Sequence, residues 1–388
     1  MTRRRKSKIP DLPHELEEEI LSKVPANSLQ NLKTTCKRWY SLFRDPRFVE
    51  KNLGSEAARE REIILLMNFT VCSIRIDTGV IHDGLKPTLI FSGTLKNLKI
   101  SEIFQCDGLI LCTPKGNGRR GRLLIWNPCN GERKWIKPRE VNAISASYAL
   151  GFGYGNGSYK ILTLRSYETS AEDIRSEFEI YDLSSDSWKV IDGSACGIDL
   201  LSPGVSLREN AYWIAFDGEI GIHMLNFDFE RERFGRVPLP FQSEDCCDTF
   251  LLSVVRDGRL SLLYQSRYSS EATIWVTDEG KEMSWSVSLE VDLCEFMRED
   301  GVMMNLESFL LDEENGVAVC CVTEIEGNGG IARIFIVGED LHVEAFDDER
   351  RKGRSFHHSP LLLSYVPSLV RLEKDKTKRQ KKENNKGG

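Results

Sequence analysis

The hydrophobic pattern of the chain changes once, near residue 60. Before that point Leu16, Ile20, Leu21 and Val24 recur at helical spacing, with glutamates on the opposite face. We predict a module of three short helices over residues 9–54, followed within it by a last helical piece. Pro25 ends the first helix, Ser28 caps the second, Thr34 or Thr35 opens the third, and Gly54 ends the module.

From residue 55 to residue 372 the pattern is that of strands. Short runs rich in Ile, Val, Phe, Trp and Tyr alternate with Gly, Asn, Asp and Ser, and no helical period interrupts them. Many short strands separated by turns predict a large all-β domain. Asp107-Gly108, Asp217-Gly218 and Asp257-Gly258 are expected to be hairpin turns within it.

Five segments of this region share one plan, in which a strand leads into a polar turn and an aromatic residue opens the next strand. They are LLIWNPCNGERKWI, FEIYDLSSDSWKVI, HMLNFDFERERFGRV, TIWVTDEGKEMSWSV and the weaker RIFIVGEDLHVEAF, aligned on Ile125, Ile180, Leu225, Ile274 and Ile334. Repeats of about 40–50 residues with several strands each are typical of propeller blades. We predict a propeller-like domain of five or six units, closed by a strand around Tyr365–Leu372. The alternative is a pair of β-sandwiches.

Charge is distributed unevenly along the 388 residues, whose net charge is −7. Residues 1–8 carry five positive charges and residues 371–388 carry eight against three acids, so the remainder is strongly acidic. We expect residues 1–8 and 373–388 to be disordered. An acidic body is not expected to bind nucleic acid, whereas basic ends are compatible with nuclear import, so nucleus and cytoplasm both remain open.

Candidate chemistry is sparse. The eleven cysteines form no CxxC pair, and their odd number and the lack of a secretory signal sequence indicate reduced thiols. The six histidines show no metal-ligand spacing. GNGRRG (116–121) precedes another strand, so it does not predict a dinucleotide site. No GxSxG motif occurs, and no run of about 18 apolar residues predicts a membrane span. We predict no catalytic centre, cofactor, metal site or membrane contact.

The helical module has more apolar residues than it can bury. A domain of this size lies near the roughly 40-residue limit for independent folding. Leaving several large apolar side chains in water costs several kcal/mol at about 25 cal/mol per Å². We therefore expect a partner protein to cover them; the alternative is that they dock onto the β domain of the same chain. The apolar residues are Leu12, Leu16, Ile20, Leu21, Val24, Leu29, Leu32, Cys36, Trp39, Tyr40 and Phe43.

The segment IPDLPHELEEEILSKVPANSLQNLKTTCKRWYSLFRDPRFVEKNL resembles an F-box, whose pattern LPxEL…IL…P..SL..L…CK.W..L..DP.F it matches nearly throughout. The resemblance implies binding to a Skp-type adaptor and, through the adaptor, to a cullin. Asn27 and Gln30-Asn31 depart from the pattern, because basic residues are common there. By this resemblance the adaptor-facing or interface-supporting residues are Leu12, Pro13, Ile20, Leu21, Val24, Pro25, Leu29, Leu32, Cys36 and Trp39.

The remainder is similar to the F-box-associated, kelch-like domain of plant F-box proteins, through phrases such as CDGLILC, IWNPCNGERKWI and ALGFGYGNGSYKIL. This resemblance implies a substrate-recognition subunit of an SCF-type ubiquitin ligase, not itself an enzyme, whose β domain binds an unknown target protein. Two alternatives are open: an adaptor-binding scaffold that acts outside degradation, and a propeller enzyme or sugar-binding module with an incidental helical leader.

Overall fold

The computed structural model contains a small helical module and a closed ring of six β-sheets. The predicted disordered ends, 1–8 and 373–388, lie outside the described residues, as do 116–120 of the GNGRRG segment. The structure describes residues 12–76, 90–95, 98–115, 121–139, 145–170, 173–191, 198–243, 245–255, 258–278, 283–294, 304–326, 329–339, 341–347 and 360–372.

The module contains four α-helices, one more than the predicted three, because the predicted last helical piece is a full helix. They are α1 (His14–Ser22), α2 (Ala26–Leu32), α3 (Lys37–Leu42) and α4 (Pro46–Leu53). The second helix follows Pro25 directly, so Ser28 lies inside it and is not its cap. Neither Thr34 nor Thr35 opens the third helix, because Cys36 Sγ accepts the backbone N–H of Trp39 at its start.

The fourth helix is short but well specified by its own sequence. The Asp45 carboxylate accepts the backbone N–H of Arg47, Pro46 occupies the first turn, and Gly54 ends the helix. A single 3₁₀ turn, Glu56–Ala58, then leads into the β domain.

Each sheet is an antiparallel blade. Blade 1 contains β25 (Leu361–Tyr365), β1 (Glu62–Met67), β2 (Thr70–Arg75) and β3 (Ile90–Thr94), and blade 2 contains β4 (Ile100–Cys106), β5 (Leu109–Pro114), β6 (Leu123–Trp126) and β7 (Arg133–Ile136). Blade 3 contains β8 (Ser145–Gly153), β9 (Ser158–Ser170), β10 (Asp173–Asp182) and β11 (Ser187–Ile191), and blade 4 contains β12 (Ile198–Leu200), β13 (Val205–Leu207), β14 (Asn210–Asp217), β15 (Gly221–Asp228) and β16 (Arg233–Val237). Blade 5 contains β17 (Thr249–Val254), β18 (Leu260–Gln265), β19 (Glu271–Thr277) and β20 (Trp285–Asp292), and blade 6 contains β21 (Met304–Asp312), β22 (Val317–Glu326), β23 (Gly329–Gly338) and β24 (Leu341–Asp347). The first strands of successive blades contact one another around the ring. The β-sandwich alternative is therefore wrong, and the predicted propeller-like architecture is confirmed with six blades.

The five aligned repeat residues occupy equivalent places. Each lies in the last strand but one of its blade, and each is at most 2% exposed. The alternation that marks the repeat therefore reflects burial between neighbouring blades. Asp107-Gly108 and Asp217-Gly218 lie at hairpin turns as predicted, whereas Asp257 is outside the described residues.

The C-terminal strand completes the first blade. In the antiparallel pairing of β25 with β1, Glu62 lies opposite Tyr365 and Leu66 opposite Leu361. The predicted closing strand around Tyr365–Leu372 was therefore placed too late in the chain. Residues 366–372 continue instead as a buried, non-strand segment, which we call the strap.

The two ends of the propeller differ in what they carry. If β12 and β13, which pair with successive parts of β14, are counted as one first strand, the turns from first to second and from third to fourth strands lie at one end. The remaining connections lie at the other end. The helices pack at the first of these, since Cys129 in the β6–β7 turn contacts their core and Asn27 donates to Glu62 at the start of β1. We call the end that carries the helices the helix end and the opposite end of the propeller the far end.

A buried ion pair joins β9 to β10 within blade 3. Arg165 Nη1 lies 3.0 Å from Glu179 Oε2, and both side chains are at most 3% exposed. Arg139, which follows blade 2, lies 3.4 Å from the same carboxylate. The pair therefore places two compensating charges in the buried interior of blade 3.

Replacing Arg165 with methionine is expected to destabilise the protein by about 3–5 kcal/mol, because it leaves the Glu179 carboxylate buried beside only the half-exposed Arg139. Chemical denaturation should show the loss. Replacing Arg165 and Glu179 together with methionine should recover most of it. Arg231→Met, which breaks the exposed pair with Asp228, serves as the control and should cost less than about 1 kcal/mol. Equal losses in the two arginine variants would contradict the prediction.

Candidate partner-binding surfaces

Apolar side chains on α1 and just before it are exposed to solvent. Leu16 and Ile20, one turn apart on one face of α1, are 53% and 55% exposed, and Leu12, which precedes the helix, is 46% exposed. We call these three residues the apolar row. Tyr40 on α3 is also half exposed, with the Arg44 guanidinium 3.4 Å above its ring. Such a stripe is suited to burial against another protein.

The other face of the module forms a core that the helices do not complete alone. Leu21, Leu29 and Phe48 are buried together with Ala26 and Phe43. Leu369 of the strap packs into the same cluster and is only 2% exposed. The helical module therefore uses a side chain from the opposite end of the sequence as part of its core.

Hydrogen bonds fix the strap against blade 2. Asn127 Nδ2 donates to the carbonyls of Ser368 and Val370, at 3.0 and 2.7 Å, and Asn130 Nδ2 donates to the Val370 carbonyl at 2.8 Å. A Cβ on Gly108, whose φ is +76°, would lie 2.5 Å from Ser368 Oγ. Glycine at that turn thus allows both the turn geometry and the close approach of the strap.

The helical module is therefore docked on its own β domain through one side only. The residues before β1 add a further contact, since Arg61 Nη1 donates to the Val255 carbonyl and to Ser364 Oγ, at 2.9 and 3.1 Å. The alternative prediction, that the apolar residues of the module dock onto the β domain of the same chain, is correct for the residues of the buried helical core. It does not account for the apolar row, which remains accessible.

The predicted adaptor-binding residues divide by exposure. Leu21 and Leu29 are 5% and 0% exposed, so they can support a surface but not form it. Leu12, Pro13, Ile20 and Cys36 are exposed, and Val24, Pro25, Leu32 and Trp39 are partly exposed.

Two half-exposed apolar residues, Leu16 and Tyr40, were among the apolar residues expected to be covered by a partner, but they were not among the adaptor-binding residues implied by the resemblance. Nothing local to the module indicates Leu369.

Polar contacts hold α1 against α3 and α4. Trp39 Nε1 donates to Glu17 Oε1 at 2.7 Å, and Arg38 pairs with the same carboxylate. Lys51 on α4 lies 3.0 Å from Glu19, and the hydrogen bond from Lys51 is the main reason that the pKa of Glu19 is lowered. These contacts orient the apolar row without covering it.

The far end carries a second accessible surface at blade 5. We call residues 241–243, 245–248 and 266–270 the rim. Asp248 joins its two segments, because its carboxylate accepts Ser243 Oγ–H, Tyr264 O–H and the backbone N–H of Arg267 at 2.8–3.0 Å. Tyr268 projects from this base and is 83% exposed, with the Arg267 guanidinium 5.1 Å from its ring.

Among the described residues, one group of side chains could hold a metal ion: Asp245, Cys246 and Cys247, all on the rim. Every helix that the structure describes is too short or too polar to cross a membrane.

Comparison with protein families gives two matches. Residues 9–51 match the F-box domain, and residues 62–372 match the F-box associated beta propeller domain. Residues 52–61, which separate the two matched ranges, contain the 3₁₀ turn.

Similar proteins come from Arabidopsis thaliana. A putative F-box/kelch-repeat protein is 48% identical over 394 residues, which cover 97% of this chain and 96% of that protein. An F-box/kelch-repeat protein is 44% identical over 398 residues, covering 98% and 100%. Among solved structures, an oligogalacturonate lyase in complex with manganese is 10% identical with a TM-score of 0.42, covering 77% of this chain and 86% of that one.

Proposed function

Because the chain belongs to the F-box proteins with an F-box-associated β-propeller domain, we propose that it is the substrate-receptor subunit of an SCF-type ubiquitin ligase. The F-box implies binding to a Skp-type adaptor. In the proposal the adaptor links the chain to a cullin, and the propeller binds a target protein.

The observation that supports this proposal is the separation of two accessible surfaces. The apolar row lies at the helix end, and the rim lies at the far end. The strap and the residues before β1 fix the helices to the propeller. A target held at the far end would therefore keep one orientation relative to the adaptor, which raises its effective concentration near a conjugating enzyme.

In the proposal, this chain does not carry ubiquitin itself. A carrier thiol must be accessible and readily ionised. Burial instead raises the pKa of the Cys72 thiol to about 11 and that of Cys129 to about 12, and it raises the pKa of Cys106 well above that of an ordinary thiol. These thiols are better described as core residues than as nucleophiles.

Target capture in cells tests the receptor role. We expect Leu16→Glu/Ile20→Glu to bind targets at the propeller without delivering them, so a target should be more abundant and less ubiquitinated than with the wild type. Proximity labelling followed by quantitative proteomics measures both. This variant is a better trap than a deletion of the F-box, which would uncover Leu369. A bound protein whose abundance and ubiquitination do not differ would support the scaffold alternative and contradict the receptor role.

The cellular location belongs to the same proposal. We place the protein in the nucleus, the cytoplasm or both, on the basis of the basic residues at 1–8 and 371–388. Imaging of a full-length fluorescent fusion tests this, and exclusive association with another compartment would contradict it.

A further inference from the structure

We propose that Asp245, Cys246 and Cys247 form a binding site for one thiophilic divalent metal ion of the Zn²⁺ class. The site lies on the rim, at the opposite end of the propeller from the apolar row. It is independent of adaptor binding, because no residue of the helical module contributes to it.

Three donor atoms converge at this place. The two cysteine Sγ atoms and a carboxylate oxygen of Asp245 all lie within 4.8 Å of one another. Zinc binds sulfur at about 2.3 Å and carboxylate oxygen at about 2.0–2.2 Å, so donors on one tetrahedral ion lie about 3.4–3.8 Å apart. Both cysteines are exposed, and small side-chain rotations can therefore bring the donors to those separations.

The carboxylate is oriented before any ion arrives. Asp245 Oδ1 accepts the backbone N–H of Cys247 at 2.9 Å, and the Asp245 carbonyl accepts the N–H of Asp248 at 3.1 Å. These bonds form a tight turn that presents the aspartate and both thiols together. The side chain of Asp248 fixes the turn to β18 of blade 5 through Tyr264 and to the preceding segment through Ser243, which lowers the entropy lost on binding.

The donor set selects the class of ion. Two thiolates favour Zn²⁺ and similar soft ions over Mg²⁺ and Ca²⁺, which prefer oxygen ligands. When deprotonated, the three donors carry three negative charges, and the single positive charge of the Arg267 guanidinium, 3.8 Å from Asp245 Oδ2, offsets only part of them. A divalent ion would offset this repulsion. Three protein ligands leave a fourth position for water or for a group on a bound protein.

Titration of the reduced, full-length protein with Cd²⁺ tests the site, because a Cd–thiolate bond has an ultraviolet charge-transfer band. We expect one tightly bound equivalent, displaced by Zn²⁺. Cys246→Ser/Cys247→Ser should lose that equivalent. Asp245→Asn keeps both thiols and should bind at least about tenfold more weakly. Affinity should fall as the pH is lowered, since the thiols must lose their protons.

Cys294→Ser is the matched control, because Cys294 is also exposed and follows the last strand of blade 5 but lies outside the donor group. It should bind Cd²⁺ as the wild type does. An unchanged band and stoichiometry in Cys246→Ser/Cys247→Ser would overturn the site, as would an Asp245→Asn variant with wild-type affinity. Adaptor capture should be unchanged in all of these variants, so failure here is distinguishable from failure of the receptor proposal.

Discussion

Leu16→Glu/Ile20→Glu is expected to weaken binding of a Skp-type adaptor by at least about 100-fold while leaving the fold intact. Both side chains are about half exposed, and neither belongs to the buried cluster that contains Leu21 and Leu29. Burying two carboxylates in place of two apolar anchors removes the contact energy and adds desolvation, and losses of 2 kcal/mol or more are typical of interface centres. Calorimetry with recombinant adaptor measures the change.

The matched control is Ile220→Glu, because Ile220 is 50% exposed but lies at the far end of the propeller. It makes the same chemical change and should leave adaptor affinity unaltered. Thermal unfolding of both variants should resemble that of the wild type. Leu21→Glu would be uninformative, since it places a charge in the helical core. A double variant that is folded and still binds with wild-type affinity would exclude the apolar row as the adaptor surface.

Truncation after Pro360 is expected to prevent formation of a stable propeller, whereas truncation after Leu372 should be tolerated. The shorter chain lacks β25, so β1 loses its partner and blade 1 no longer closes the ring. It also lacks the buried side chains of Leu362, Tyr365 and Leu369. Each such loss costs about 2–5 kcal/mol, and together they match or exceed the 5–15 kcal/mol by which domains are usually stable.

A third truncation, after Tyr365, distinguishes closure of the propeller from docking of the helical module onto it. It retains β25 but removes the strap, so the propeller should close while the helical core lacks Leu369. We expect faster proteolysis within residues 12–61 and a protected propeller, measured by limited digestion and mass spectrometry. If the chain ending at Pro360 unfolds at the same temperature as the chain ending at Leu372, the C-terminal strand is not required for closure.

The predictions for the α1 double variant and for the C-terminal truncations rest on structural features, only some of which can be predicted from the sequence. The helices of the module follow from proline positions and a helical period, which act within about four residues, whereas the caps predicted at Ser28 and at Thr34 or Thr35 were wrong. The repeat residues from Ile125 to Ile334 align because each blade buries the same strand in the same way. The adjacent thiols of Cys246 and Cys247 are likewise plain in the sequence. That they are exposed and converge with Asp245 on an anchored turn is shown only by the structure.

The sequence by itself determined the two-part architecture, the family resemblance and the placement of the repeat, because these depend on local periodicity and on residues close together in the chain. The tertiary structure decided the number of blades, the start of the closing strand, and which apolar residues of the module remain accessible. Leu21 and Ile20 are neighbours in the same helix, yet one is buried and the other exposed. The physical reason is that the core around Leu21 includes Leu369, and that the strap is held by Asn127 across 243 residues of chain. Such a contact leaves no periodic signal, since its free energy arises only when the ring has closed.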